Sequence, residues 1–307
     1  MNWTTDNIPS LIEKTIIVTG GNSGLGLQAV KAFAEKGALV VLACRDTAKG
    51  DDARLELLKD IPQALIMVRQ LDLADLQSVR KFAVSFNKEF NRLDILLNNA
   101  GIMMPPYQLT KDGLESQQGV NHFGHFALTG LLLPMLKATP QSRVVNVSSM
   151  AHKNGKMDFS NLLYENGVGY APMAAYSRSK LENLLFTFGL QSFFSQNKLD
   201  IKAVVAHPGV SDTNLFNGIG GSVGQSLLRA LFSKLVQPAA MGTLPLLRAA
   251  VEPNIVGGEF FGPGGFAEMK GYPILVKPFR QATNANSIKE LWEFSEKVTA
   301  VYYKQEG

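Results

Sequence analysis

Short β-branched runs alternate along this chain with longer stretches of helical period. Thr15–Thr19, Ala38–Ala43, Leu65–Leu71, Asp94–Asn98, Arg143–Val147 and Ile201–Ala206 read as strands, with Glu259–Phe261 as a seventh. Helical patterns cover Leu25–Lys36, Thr47–Lys59 and Leu76–Phe90. Strands that are continuously apolar, rather than alternating, are buried on both faces, which predicts a parallel sheet with helices on either side. Right-handed crossovers then give a doubly wound α/β fold of about seven strands with its ligand at their C-terminal ends. No linker, repeat or low-complexity tract interrupts the pattern, so residues 1–307 read as one domain. Two irregular stretches, Met150–Met173 and Ser211–Gln237, follow strands on the ligand edge, where loops carry specificity.

The loop after the first strand, Thr19-Gly20-Gly21-Asn22-Ser23-Gly24-Leu25-Gly26, opens the first helix. Glycines there permit a tight turn and let a pyrophosphate approach the helix N-terminus. The Gly-x-x-x-Gly-x-Gly spacing is wider than the usual dinucleotide fingerprint, and a purely structural turn competes with the phosphate reading. No Gly-Lys-Ser/Thr follows, which excludes a Walker-type site. The second strand ends in Cys44-Arg45-Asp46, the position that faces the adenosine ribose in a Rossmann-type domain. An arginine there pairs with a 2′-phosphate and favours NADP, with NAD the weaker alternative. Asp46 reads as the cap of the following helix. Asp72, after the third strand, either accepts from the adenine amino group or caps the next helix.

Composition narrows the classes. The chain is 46% hydrophobic and 18% charged, with a formal charge of +4. That suits a folded protein with a sizeable core, and no basic, aromatic-interleaved block points to nucleic acid. Cys44 stands alone, which excludes an intrachain disulfide and fits a reducing compartment. No signal peptide opens the N-terminus, and Leu128–Leu136, the longest apolar run, is interrupted by Gly130 and Pro134. A cytoplasmic protein without an integral membrane segment is the expectation.

Tyr176 and Lys180 lie four residues apart in a helical stretch, one turn apart on the same face. A positive charge beside a phenol favours the phenolate and moves its pKa toward the working range, so the pair can pass a proton to or from an alcohol or carbonyl. In isolation the same spacing describes a surface tyrosine beside a solvated lysine.

Four motifs in order resolve that ambiguity: the Thr19–Gly26 turn, Asn98-Asn99-Ala100-Gly101, Asn146-Val147-Ser148-Ser149 and Tyr176-x-x-x-Lys180. With them, residues 13 to 265 resemble the short-chain dehydrogenase/reductase family. Cys44-Arg45-Asp46, Asn121-His122-Phe123-Gly124-His125-Phe126, Ser149-Met150-Ala151-His152 and the long interval from Ser149 to Tyr176 resemble its retinol dehydrogenase-like branch. The resemblance implies a catalytic set of Asn121, Ser149, Tyr176 and Lys180. Tyr176 is then the acid/base and Lys180 the group that lowers its pKa. Ser149, rather than Ser148, bonds the substrate oxygen, and Asn121 holds a helix distortion and a water leading to Lys180. It also implies cofactor contacts from Gly20, Asn22, Ser23, Gly24, Leu25 and Gly26; from Arg45, Asp72 and Leu73; from Asn99, Ala100 and Gly101; from Tyr176 and Lys180; and from Pro208, Gly209, Val210 and Thr213. Two donors converging on one oxygen need no metal.

His122 and His125 stand i, i+3, but no cysteine or carboxylate cluster completes a zinc set, so packing roles are expected. Ser149 lies in no Gly-x-Ser-x-Gly elbow, against a hydrolase, and His207 before Pro208 reads as structural. Val223, Leu227, Leu228, Leu231, Phe232, Leu235 and Val236 form an apolar helical face within 211–237, read as a substrate lid, with core packing or membrane contact as competing readings. Met103–Tyr107 are expected to line the same pocket. The expected function is an NADP-preferring oxidoreductase that interconverts a small-molecule alcohol with its ketone or aldehyde. It acts alone or as a homodimer or homotetramer. A non-catalytic NADP-binding regulator and a nucleotide-sugar epimerase of related fold are the alternatives.

Overall fold

A computed structural model describes residues 2–211 and 237–304. Its parallel strands are β1 (Thr15–Thr19), β2 (Leu39–Cys44), β3 (Leu65–Gln70), β4 (Ile95–Asn98), β5 (Ser142–Val147), β6 (Ile201–Ala206) and β7 (Phe260–Pro263). An antiparallel β8 (Pro273–Leu275) closes the edge, giving the order β3-β2-β1-β4-β5-β6-β7-β8. The order reverses between β1 and β4, where a crevice opens at the strand C-termini.

Side chains of successive strand residues enter opposite layers, and here both layers are apolar. Ile16, Val18, Val40 and Leu42 pack beneath α1 (Gly24–Glu35) and α7 (Ala239–Val251). Ile17, Val41 and Ala43 pack with Val79, Phe82 and Phe86 of α3 (Leu76–Glu89), and with Phe126 and Leu132 of α5 (Gly124–Ala138). This two-sided burial is why the strands read as continuous apolar runs. The i, i+3, i+4 row Leu76, Val79, Ala83, Phe86 of α3 is the stripe that docks it. Asp46 accepts from Lys49 N–H and caps α2 (Thr47–Asp60), as its position after β2 predicts.

One strand lies outside the expected pattern. The eighth strand is short, begins with Pro273 and exposes Ile274 and Leu275, so it carries no strand periodicity; proline is tolerated because this is an edge. Gly130 and Pro134, which interrupt the apolar run Leu128–Leu136, lie inside α5. Gly130 is required by packing: a Cβ there would sit 2.6 Å from Val301 Cγ1 and 3.0 Å from the Tyr303 ring.

The longest helix, α6 (Pro172–Gln196), starts with proline at its first position and runs buried through the molecule. Its outer end packs on α8 (Ala285–Thr299), where Phe126, Phe186, Phe193, Trp292 and Tyr303 form an aromatic cluster. Tyr303 donates its hydroxyl to the Phe126 carbonyl at 2.8 Å, tying the end of the described chain to α5. No helix among the described residues is long and apolar enough to cross a membrane.

Phe126 is fully buried between α6 and α8. Phe126→Ala is expected to destabilise the fold by about 3–5 kcal/mol, measured by denaturant unfolding.

Candidate active site

The C-terminal ends of β1, β2, β4, β5 and β6, with α6, assemble the site. The backbone at Gly20 has φ +65°, a conformation glycine adopts without strain, and it turns the chain sharply out of β1. A Cβ on Gly26 would lie 2.2 Å from the Gly20 carbonyl, so only glycine lets α1 start this close to the strand. Ser23 stands at the N-cap of α1 without a side-chain capping bond, which leaves the first-turn N–H groups able to take an anion. Arg45 is exposed at the end of β2 and pairs with no side chain among the described residues. The turn fits the pyrophosphate of a dinucleotide.

Asp72 does not cap α3. Asp75 does so, accepting from Gln77 N–H at 2.9 Å and Ser78 N–H at 3.2 Å. Asp72 closes the preceding turn through Ala74 N–H at 3.0 Å, and its neighbour Leu73 packs against Gly124 at the start of α5. Thr213 and the apolar face of the expected lid lie outside the described residues.

The end of β4 is tied to the end of β1. Asn99 donates its side-chain amide to the Thr19 carbonyl at 2.8 Å, while Asn99 N–H and Ala100 N–H both donate to the Thr19 hydroxyl at 2.9 Å. The missing side chain of Gly101 brings this segment against the polar centre: a Cβ there would be 3.1 Å from Asn121 Oδ1 and 3.4 Å from Lys180 Nζ.

Asn121 lies in a π turn, Gly119–Phe123, between α4 (Ser116–Gln118) and α5, the helix distortion expected at this position. Its side chain accepts from Ile102 N–H at 2.8 Å and donates to the Ile102 carbonyl at 3.0 Å and to Ser179 Oγ at 2.9 Å. Its main-chain carbonyl lies 3.0 Å from His125 Nδ1.

Of the two serines after β5, Ser148 is buried and donates to the Lys180 carbonyl at 2.8 Å. Ser149 is only part-buried and accepts from Ala151 N–H at 3.2 Å, which leaves its hydroxyl proton available. Lys180 Nζ donates to the Val147 carbonyl at 3.1 Å and lies 5.7 Å from the centre of the Tyr176 ring. Burial lowers the lysine pKa to about 8. Burial also pushes the Tyr176 phenol up to about 12, against a smaller opposing pull from the Ser149 hydroxyl. Burial therefore governs the phenol, while the Lys180 ammonium is directed at the Val147 carbonyl.

The substrate side holds residues that periodicity did not reveal. Tyr170, in the long loop before α6, donates to the Pro105 carbonyl at 2.7 Å and stacks edge-on with Tyr107, which joins the 103–107 segment to that loop. Pro208–Val210 leave β6 through Gly209 at φ +67°, and Val210 N–H donates to the Met269 carbonyl at 2.8 Å. His207 accepts from Gly209 N–H at 3.2 Å, and its Nε2 lies 3.1 Å from Glu268 Oε2, which also receives Lys153 at 3.2 Å. The structural role expected of His207 is the one it has. His122 is likewise engaged, its Nε2 2.9 Å from Ser295 Oγ. Glu268 and Lys153 gave no signal in the sequence, because Glu268 meets His207, and Lys153 meets Glu268, from separate loops.

The family model described as short chain dehydrogenase matches residues 14–222. The chain is 42% identical over 250 residues to retinol dehydrogenase 12 of Homo sapiens, covering 81% of this chain and 77% of that one. A crystal structure from Mycobacterium paratuberculosis superposes with a TM-score of 0.83 at 39% identity, covering 99% of this chain and 100% of the other. A short chain dehydrogenase from Burkholderia cenocepacia, solved in complex with NADP, shares the fold at a TM-score of 0.64 and 23% identity, over 82% of this chain and 96% of its own.

Further along α6, the fully buried Glu182 accepts from Gln118 Nε2 at 2.6 Å. The two remaining oxygens of this pair, Gln118 Oε1 and Glu182 Oε2, have no donor among the described residues. A protonated Glu182 has one to give, and burial raises its pKa from 4.5 to about 8, against weaker pulls from Gln118 and Arg178. Between those values the folded chain holds a proton that the unfolded chain has released. This contribution to stability is full below about pH 4.5 and gone above about pH 8. Glu182→Gln is expected to flatten the pH dependence of Tm across that window and to raise Tm at pH 8 by about 3 °C or more, measured by calorimetry.

Proposed function

The chain belongs to the short-chain dehydrogenase family, and within it we propose an NADP-preferring oxidoreductase that interconverts a lipophilic alcohol with its aldehyde or ketone. As a member of that family it is an NAD(P)-dependent enzyme acting on CH–OH groups. The NADP preference is the finer step, and it rests on Arg45, exposed and without a side-chain partner where a ribose 2′-phosphate would lie. The human relative is named for retinol. That likeness, with the apolar residues of 223–236, supports an extended apolar substrate.

The observation that carries the mechanism is the buried Tyr176, one helical turn from Lys180 and beside Ser149, whose hydroxyl donates to no carbonyl among the described residues. In the reductive direction Tyr176 donates its proton to the substrate carbonyl oxygen, and Ser149 donates a hydrogen bond to the same oxygen as charge builds there. A bound nicotinamide supplies the hydride to the carbonyl carbon. Lys180, with its pKa lowered to about 8, is matched to restoring the phenol's proton. In the oxidative direction the same groups run in reverse, with the phenolate as base.

Tyr176→Phe is expected to cut NADPH-dependent reduction of decanal and retinal by about 10²–10⁴-fold with NADP⁺ affinity retained; wild-type rates in an absorbance assay would remove the acid/base assignment. Arg45→Leu is expected to lower kcat/KM for NADPH by about 10-fold or more while leaving NADH nearly unchanged. Equal losses for both cofactors would remove the 2′-phosphate argument. NADPH binding without turnover across a broad carbonyl panel would instead favour a regulator that retained the fold.

A further inference from the structure

We propose that His125 is a positioning residue whose imidazole, held as the Nδ1–H tautomer, sets the Asn121 carbonyl and the Asn99–Ala100 segment in register beside Lys180. The inference rests on the reading that these residues flank the cofactor and the proton donor.

The tautomer follows from the partners. His125 Nδ1 lies 3.0 Å from the Asn121 carbonyl oxygen, which can only accept, so Nδ1 carries a proton. His125 Nε2 lies 2.8 Å from Thr19 Oγ1. The ring is buried and has Lys180 for a neighbour, and both effects disfavour a second proton; the pKa is lowered to about 4. Nε2 therefore presents a lone pair, and the Thr19 hydroxyl donates to it. The same hydroxyl could address the Leu97 carbonyl, but at 3.4 Å that contact is far longer than the one to the ring. With its proton so directed, Thr19 Oγ1 keeps its lone pairs for Asn99 N–H and Ala100 N–H, both at 2.9 Å.

One unbroken polarity results. Asn99 and Ala100 donate to Thr19, Thr19 donates to His125, and His125 donates to Asn121. Bonds aligned this way in a dry interior strengthen one another. The chain joins the end of β1, the end of β4 and the π turn through a single imidazole. Below the ring, the Thr129 hydroxyl donates to the His125 carbonyl at 2.8 Å, which fixes the backbone of the same turn. Reversing the tautomer would aim Nε2–H at a hydroxyl already receiving two amides and leave the Asn121 carbonyl facing a lone pair.

The two contacts can be separated, because an asparagine amide reaches the Nδ1 position and a glutamine amide reaches the Nε2 position. His125→Phe, →Asn and →Gln are to be made in the full chain and assayed for NADPH-dependent reduction of decanal, for NADP⁺ affinity by calorimetry and for Tm. His125→Phe is expected to lose about tenfold in kcat and a similar factor in NADP⁺ affinity. Relative to it, His125→Asn recovers kcat more than affinity, and His125→Gln recovers affinity more than kcat. Parallel changes in both readouts, tracking Tm alone, would reduce His125 to ordinary packing and overturn the inference. If the phenylalanine variant does not fold, the Asn and Gln variants compared with wild type carry the same crossed test. ¹⁵N-histidine NMR of the wild-type protein is expected to show His125 neutral with the proton on Nδ1 at pH 7; a proton on Nε2, or on both nitrogens, also overturns it. Absence of wild-type turnover would strike the proposed reaction, leaving the tautomer and NADP⁺ affinity to decide the role of His125.

Discussion

The carbonyl at the end of β5 is the point on which this site is built. Val147 O receives two buried donors from α6, Lys180 Nζ at 3.1 Å and Asn183 Nδ2 at 3.0 Å. The strand answers through Ser148, whose hydroxyl donates to the Lys180 carbonyl at 2.8 Å. A lysine ammonium cannot lie buried unless oxygen atoms meet it, and this one meets the end of a strand. Because α6 is held at that spot, Tyr176 stands one turn earlier on the same side, above Ser149.

Behind this contact the interior is polar in a narrow layer and apolar around it. Asn183 O accepts from Thr187, which receives Asn146; Asn146 Oδ1 receives Asn98, and Asn98 reaches Thr129. Such a layer tolerates one arrangement, since a displaced member leaves a neighbour unpaired in a low dielectric. The aromatic cluster between α5, α6 and α8 supplies the burial that holds the layer in place. Catalytic groups fixed in this way need little reorganisation when charge develops on a substrate oxygen.

Much of the architecture was legible because strands buried on both faces have a plain signature. Thr15–Thr19 and Ile201–Ala206 have the bounds their apolar runs predict. Burial also explains the failures. β8 is an exposed edge of three residues, so no apolar run marks it. Position 130 is a glycine because Val301 and Tyr303 occupy the space a side chain would need, a contact that no local pattern announces. The one-turn spacing of Tyr176 and Lys180 was visible, but the acceptor that the lysine meets was not. Periodicity places Tyr176 beside Lys180 and says nothing of the Val147 carbonyl that takes the ammonium.

The chain alone determined the alternation of strand and helix, the glycine turn, the arginine after β2 and the one-turn spacing of Tyr176 and Lys180, because each is a property of neighbours in sequence. Tertiary structure decided which serine is available, why Asp75 rather than Asp72 caps α3, and how His125 connects Asn121 to Thr19. Those outcomes depend on partners brought together from distant positions: Thr19 and His125 are 106 residues apart, and Ser148 and Lys180 are 32 apart. Local periodicity sets the direction in which a side chain leaves its element. Only the packed fold supplies the donor or acceptor it meets, and the surrounding burial decides its charge.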